Sequence, residues 1–251
     1  MVPVKFDAIG FDYGNTLVID PFDRVMKMKG VDFVRIMEAN GYEIDKKKLV
    51  GVWAETNRNL NYPHCSHFAQ EVPLVRAVLE ALDVKKTDRV RLSQQLLVAY
   101  RSGLKYTLRN DKQLAQIKET LASLKGKGKK LFIISNEKVD TLDAQLHWTG
   151  LNGFFDKIIT SKRFGAEKPD PAIFRYAARF FDMPMERVLF VGDDPQKDIK
   201  PAKEVGFRAA MLERPKGESV ACWRDYNFEL QENERPDFVI KQINELVQIV
   251  E

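Results

Sequence analysis

Cysteine and histidine are scarce in this chain of 251 residues, with two of the first, Cys65 and Cys222, and three of the second. Two isolated cysteines form neither a disulfide framework nor the repeated spacing of a metal site, and reduced thiols in a cytoplasm are the expected state. No apolar run approaches the roughly 18 residues that a membrane span needs, so no membrane partner is expected. The N-terminus lacks the basic stretch and apolar core of a secretory signal. A surplus of one charge is missing too: 40 Lys and Arg against 36 Asp and Glu leave a net charge of +4. The two signs are interspersed, with no basic stripe to follow a nucleic acid, so none is expected as partner. What remains is ordinary for a soluble globular chain, 44% hydrophobic and 30% charged, and long enough for one large domain or a core with a smaller companion.

The first ordered signal is Val4 to Gly10, a short run of β-branched and aromatic residues that reads as a buried strand. It ends at Phe11-Asp12-Tyr13-Gly14-Asn15-Thr16-Leu17, where an acidic residue precedes a turn-forming sequence. From there to about Gly103 the pattern is helical only. A first helix over 24–40 places Val25, Met28, Val31, Val34 and Met37 three apart, with Phe33 and Ile36 widening the stripe, and Gly41 ends it. Further helices are expected over 45–59, with Leu49, Val52 and Trp53 inside, over 72–82, and from a Thr87 cap through Tyr100.

Alternation of helix and strand resumes near Asn110. Strands are expected at 131–134, 157–160, 188–191, 208–212 and 237–240, with helices between and after them. The lysines between 125 and 130 are expected in a solvated turn, His147 and Trp148 in the packing of a core helix, and 213–235 in a surface excursion. Strands alternating with helices imply a doubly covered parallel α/β sheet. The expected division is an α/β core from 1–18 and 108–251, with a helical domain, 19–107, inserted into it.

In such a sheet, ligands bind beyond the carboxyl ends of the strands. The residues at those ends are Asp12 to Thr16, then Ser135-Asn136, then Lys168, then Asp193 to Asp198. Asp12 and Asp193 can hold a hard cation through oxygen ligands. Ser135, Asn136 and Lys168 can bind an anion. That is the equipment of phosphoryl transfer, which rests on positioning and charge neutralisation, and Asp12 can also serve as nucleophile.

Four stretches together resemble the haloacid dehalogenase superfamily, most members of which are Mg-dependent phosphohydrolases: 11–17, Ile133-Ile134-Ser135-Asn136, Glu167 to Phe174, and Val191-Gly192-Asp193-Asp194-Pro195-Gln196-Lys197-Asp198-Ile199. The resemblance covers nearly the whole chain. It implies a Rossmann-like core with a helical type-one cap and hydrolysis of a small phosphorylated substrate. It implies Asp12 as nucleophile and metal ligand, the Gly14 carbonyl, Asp193 and Asp198 as further Mg2+ positions, and Thr16 as an orienting residue. Thr16, Ser135, Asn136, Lys168 and the Tyr13 amide match its phosphate-binding positions, and Lys168 also matches the catalytic lysine that neutralises nucleophile and phosphate. Asp194 has no assigned role.

One position departs from the pattern. Most phosphatases of the family carry a second aspartate two residues after the nucleophile, as general acid and base; here that position is Gly14. The departure keeps open carbon–halogen cleavage, phosphonate hydrolysis, and a weakly active phospho-ligand binding protein. His64, Cys65 and His67 stand close enough for a metal but lack a fourth ligand. They are expected in a loop of the helical insertion, where one of them can supply the missing acid–base group.

Overall fold

A computed structural model of the chain describes residues 5–61, 72–136, 141–213 and 231–250. His64, Cys65, His67 and Cys222 lie outside the described residues. The chain divides into two compact units, Met1–Asp20 with Asp111–Glu251, and Pro21–Asn110.

The first unit is built on a six-stranded sheet: β1 (Ala8–Phe11), β2 (Lys130–Ser135), β3 (Lys157–Thr160), β4 (Val188–Gly192), β5 (Arg208–Leu212) and β6 (Phe238–Ile240). Every pairing is parallel and the spatial order is β3-β2-β1-β4-β5-β6. This is the Rossmann-like order, and the fold expected from the alternation is the fold observed. The three central strands are buried along almost their whole length, as parallel strands covered on both faces must be. Their register is tight: Phe11 stands beside Ile133 on one side and Val191 on the other, so the three strands end nearly level.

Gly10, in the middle of β1, explains how two large rings fit against the central strand. A β-carbon there would fall 2.4 Å from the Phe132 ring and 2.7 Å from the Phe190 ring. Without it the two rings lie 6.4 Å apart over the strand, and Phe190 meets Phe174 edge-on at 5.0 Å. Ile173, Ala177, Ala202 and Phe207 complete this side of the core.

The helices of this unit bury one face each. In α5 (Leu114–Gly126) that face is Leu114, Ile117, Leu121 and Leu124. In α6 (Leu142–Thr149) it is Leu142, Gln145, Leu146 and Thr149, so His147 points to solvent and Trp148 is half-buried. The expected packing role of His147 does not hold, because it sits about 100° round the helix from Leu146. A short helix, α7 (Ser161–Phe164), follows β3, and α8 (Pro171–Phe181) starts from an Asp170 side-chain cap on the Ala172 amide at 2.8 Å. After β4 the chain makes a π-helical turn over Pro195–Ile199 before α9 (Lys200–Glu204), where a single helix over 199–205 is expected from the sequence.

Of the lysines after α5, Lys127 and Lys130 are exposed as expected and Lys129 is not. Lys129 is buried and its Nζ donates to the Phe6 carbonyl at 2.8 Å. Burial pulls its pKa down. Lys127 Nζ donates to the carbonyls of Val247, at 2.9 Å, and Val250, at 2.5 Å, closing the end of α10 (Leu246–Ile249).

The second unit is helical: α1 (Phe22–Ala39), α2 (Lys46–Asn61), α3 (Val72–Ala81) and α4 (Arg89–Arg109). Its core is aromatic. Trp53 is fully buried, 5.0 Å from the Phe33 ring and stacked on Tyr100 at 5.8 Å. The buried face of α1 is Phe22, Val25, Met26, Gly30, Phe33 and Met37, whereas Met28 and Val31 are exposed. Val25, Phe33 and Met37 of the expected face are buried, but Met28 and Val31 leave it for a geometric reason: steps of three drift about 60° round a helix each time.

Candidate active site

The candidate residues stand where β1, β2 and β4 end. Asp12 directly follows β1, and its amide donates to the Val191 carbonyl at 2.8 Å, which ties it to the end of β4. The turn beyond it closes on itself. The Leu17 and Val18 amides donate to the Tyr13 carbonyl at 3.0 and 3.1 Å, and Asn15 takes a left-handed φ of 56°. Asparagine tolerates that conformation, and its Oδ1 accepts from the Asp20 amide at 3.0 Å.

Lys168 lies in the loop between α7 and α8 and is buried, 3% exposed. Its Nζ is 2.6 Å from Asp12 Oδ1 and 2.6 Å from Asp198 Oδ1. Burial alone would lower the pKa of this ammonium; the two carboxylates outweigh burial and hold it above its ordinary value. Asp198 is anchored at its other oxygen, Oδ2, by the Asp194 amide at 3.1 Å. Burial lifts Asp198 to about 6, against the pull of Lys168.

Carboxylates outnumber cations here. Asp12, Asp193 and Asp198 each place one oxygen within 4.8 Å of the others, and all three are buried. Burial pushes the Asp193 carboxyl well up, and Asp12, Asp198 and Asp194 push it the same way. The Thr16 hydroxyl is 3.5 Å from Asp193 Oδ1. Asp194 shapes the backbone that follows it. Its Oδ1 accepts from the Gln196 and Lys197 amides at 2.9 and 3.0 Å and starts the π-helical turn that carries Asp198.

Ser135 is the last residue of β2 and is buried. Asn136, next to it, uses both ends of its amide on the main chain of Lys168, donating from Nδ2 to its carbonyl at 2.9 Å and accepting from its N–H at 2.8 Å. Two features escape sequence reasoning. One is this link between Asn136 and Lys168, which requires the strand order to be known. The other is Gly192, where a β-carbon would fall 2.4 Å from Cβ, Cγ and Oδ2 of Asp198. A glycine directly before the acidic pair is the only local sign of it.

A buried lysine thus bridges Asp12, at the end of β1, and Asp198, in the turn after β4, within a parallel α/β sheet, and the chain belongs to the haloacid dehalogenase-like hydrolases. The model of that family matches residues 71–212. Ser135, Lys168, Asp193 and Asp198 lie inside the match; Asp12 precedes it and is joined to it by Lys168. The chain is 29% identical over 218 residues to glyceraldehyde 3-phosphate phosphatase of Methanocaldococcus jannaschii, covering 86% of each chain. It is 26% identical over 140 residues to haloacetate dehalogenase H-2 of a Moraxella species, covering 55% of this chain and 57% of that one. Its fold superposes on 2-haloacid dehalogenase of Pseudomonas syringae with a TM-score of 0.64 at 20% identity, over 97% of each.

Proposed function

We propose that the protein is a phosphatase of small phosphomonoesters, working through an aspartyl-phosphate on Asp12. The observation that carries this reading is the buried Lys168 ammonium, 2.6 Å from both Asp12 and Asp198. One Asp12 oxygen is held by that lysine, which leaves the other to face phosphorus. Asp12 attacks the phosphorus in line, the phosphorus–oxygen bond of the ester breaks, and its electron pair leaves with the alkoxide. Water then attacks the acyl-phosphate and returns the Asp12 carboxylate with inorganic phosphate. Ser135, Thr16, the Tyr13 amide and Lys168 are the groups assigned to the phosphoryl oxygens. A phosphatase relative at 29% identity over most of the chain supports the same reading.

The donors suit a hard divalent cation: all are oxygens, negative charge is in excess, and the carboxyl of Asp193 is pushed up by burial and by its neighbours. Asp12, Asp193, Asp198 and the Gly14 carbonyl are the residues assigned to it. Bound there, Mg2+ supplies neutralisation of the charge on the phosphoryl oxygens. Gly14 leaves the position two residues after Asp12 without a side chain. General acid–base help is worth about 10²–10⁴-fold, so leaving-group protonation falls to another residue or to solvent.

A panel of phosphoesters, with Mg2+ or with EDTA, tests the reading. Metal-dependent phosphate release from the wild type and none from Asp12→Asn, with an unchanged melting curve, is the expected result. Turnover retained by Asp12→Asn would sink it. A dehalogenase is favoured instead by the Moraxella relative, and chloride release from 2-haloacids in EDTA would decide for that chemistry.

A further inference from the structure

We infer that Asn136 is a positioning residue that acts on the reaction through Lys168, an inference that rests on the phosphatase reading above. A lysine is a compact charge on a flexible four-carbon stem. Holding its ammonium between two carboxylates therefore requires its main chain to be held as well. Lys168 lies in a loop, between the end of α7 at Phe164 and the start of α8 at Pro171, where no sheet ladder or helix fixes it. Asn136 supplies what a ladder would. Its Oδ1 accepts the Lys168 N–H at 2.8 Å and its Nδ2 donates to the Lys168 C=O at 2.9 Å. A single side chain thus satisfies both main-chain groups of the residue.

The clamp is anchored at a rigid place. Asn136 directly follows β2, whose last residue, Ser135, pairs with Thr160 of β3, while its neighbour β1 ends just before Asp12. The far end of Lys168 is held by Asp12 and Asp198. The lysine is thereby fixed at both ends relative to the nucleophile, and Asn136 commits one donor and one acceptor of its amide to that link. The same geometry requires that removing the clamp disturb kcat through the position of the ammonium, with no separate contribution to substrate binding.

Two measurements test this. The first is a double-mutant cycle with p-nitrophenyl phosphate and Mg2+ on wild type, Asn136→Ala, Lys168→Ala and the double variant. Asn136→Ala should lower kcat about 10–100-fold with KM within about threefold of wild type, a misplacement effect. In the Lys168→Ala background the same change should alter kcat/KM by less than about twofold, since a residue acting only through Lys168 has nothing left to act on. Losses that add in the double variant, or a rise confined to KM, would overturn the inference in favour of direct phosphate contact.

The second measurement does not depend on activity. Reductive methylation of the folded protein, read by peptide mass spectrometry, should label Lys168 at least about tenfold faster in Asn136→Ala than in wild type, with buried Lys129 unchanged as control. Equal labelling of Lys168 in the two proteins would overturn the clamp. Asn136→Asp, which keeps the acceptor and the size but loses the donor, guards against a folding defect in the alanine variant and should fall between the two. If the wild type released no phosphate from any ester, the reading of the reaction would fail, and the labelling would still decide the clamp.

Discussion

Gly192 and Asp198 show how much of this site depends on an atom that is not there. The Asp198 side chain sits so close to the Gly192 α-carbon that a methyl group would overlap three of its atoms at 2.4 Å. Gly192→Ala must push Asp198 or strand β4 aside. Overpacking of this kind costs about 1–3 kcal/mol. The displaced carboxylate would also give up one of the two anchors on the Lys168 ammonium. A lower melting temperature together with a lower kcat/KM is expected; a variant with both at wild-type values would mean that Asp198 moves freely and that Lys168 does not need it. At this scale the residues facing the site are legible in the sequence, because each follows a strand-like run and four short stretches match one family. Their partnerships are not. Nothing in the local sequence tells that Asn136 reaches the main chain of Lys168, because those bonds exist only once the strands are side by side.

Elements are legible where one physical signal dominates. The central strands are unbroken apolar runs, and the amphipathic helices repeat at 3.6. Reading fails where signals compete. The three-residue stripe of α1 rotates off the buried face, and the lysines at 127 and 129 behave as structural donors because the fold brings a main-chain carbonyl within reach of each stem. The attachment of β6 illustrates the same point and is testable. Asp237, just before that strand, accepts from Lys203 at 2.7 Å, from Arg208 at 2.6 Å and from the Ala209 amide at 2.8 Å, joining α9, β5 and β6. Burial raises its pKa, but those three donors more than offset it and the net shift is downward. A carboxyl with a depressed folded pKa stabilises the fold above its unfolded pKa, about 3.9, and loses that contribution as pH falls through the folded value. Asp237→Asn should therefore cost about 1–3 kcal/mol at pH 7. Its urea midpoint should approach that of the wild type as pH falls below about 4, the gap closing only once pH is below the folded value. A gap that persists unchanged at low pH would place the effect in packing and not in charge.

For the molecule as a whole, the crowded carboxylates predict that a divalent cation stabilises the fold. Asp193 is buried beside Asp12 and Asp198, and a divalent cation bound there is expected to offset the cost of gathering their charges. Saturation at 100 times Kd is worth about 2.7 kcal/mol. In a chain of this size that corresponds to a rise in Tm of about 5–10 °C. Mg2+ should produce it, EDTA should reverse it, and Asp193→Asn should show little of it while starting from a higher Tm in EDTA. No shift in the wild type at millimolar Mg2+ would argue against a cation among Asp12, Asp193 and Asp198.

The strand order has one more consequence, which concerns synthesis. Strand β1 leaves the ribosome before both of its neighbours, β2, beginning at Lys130, and β4, beginning at Val188. At about 5–20 residues per second, the wait for the second neighbour is on the order of ten seconds or more. During that wait a strand whose four residues are all buried in the finished protein has no sheet to enter. The intervening Pro21–Asn110 unit, contiguous in the chain, can complete its own core in the meantime. A nascent chain released before Gly192 would hold Asp12 with no β4 beside it, so Asp12 is translated well before the strand that completes its surroundings.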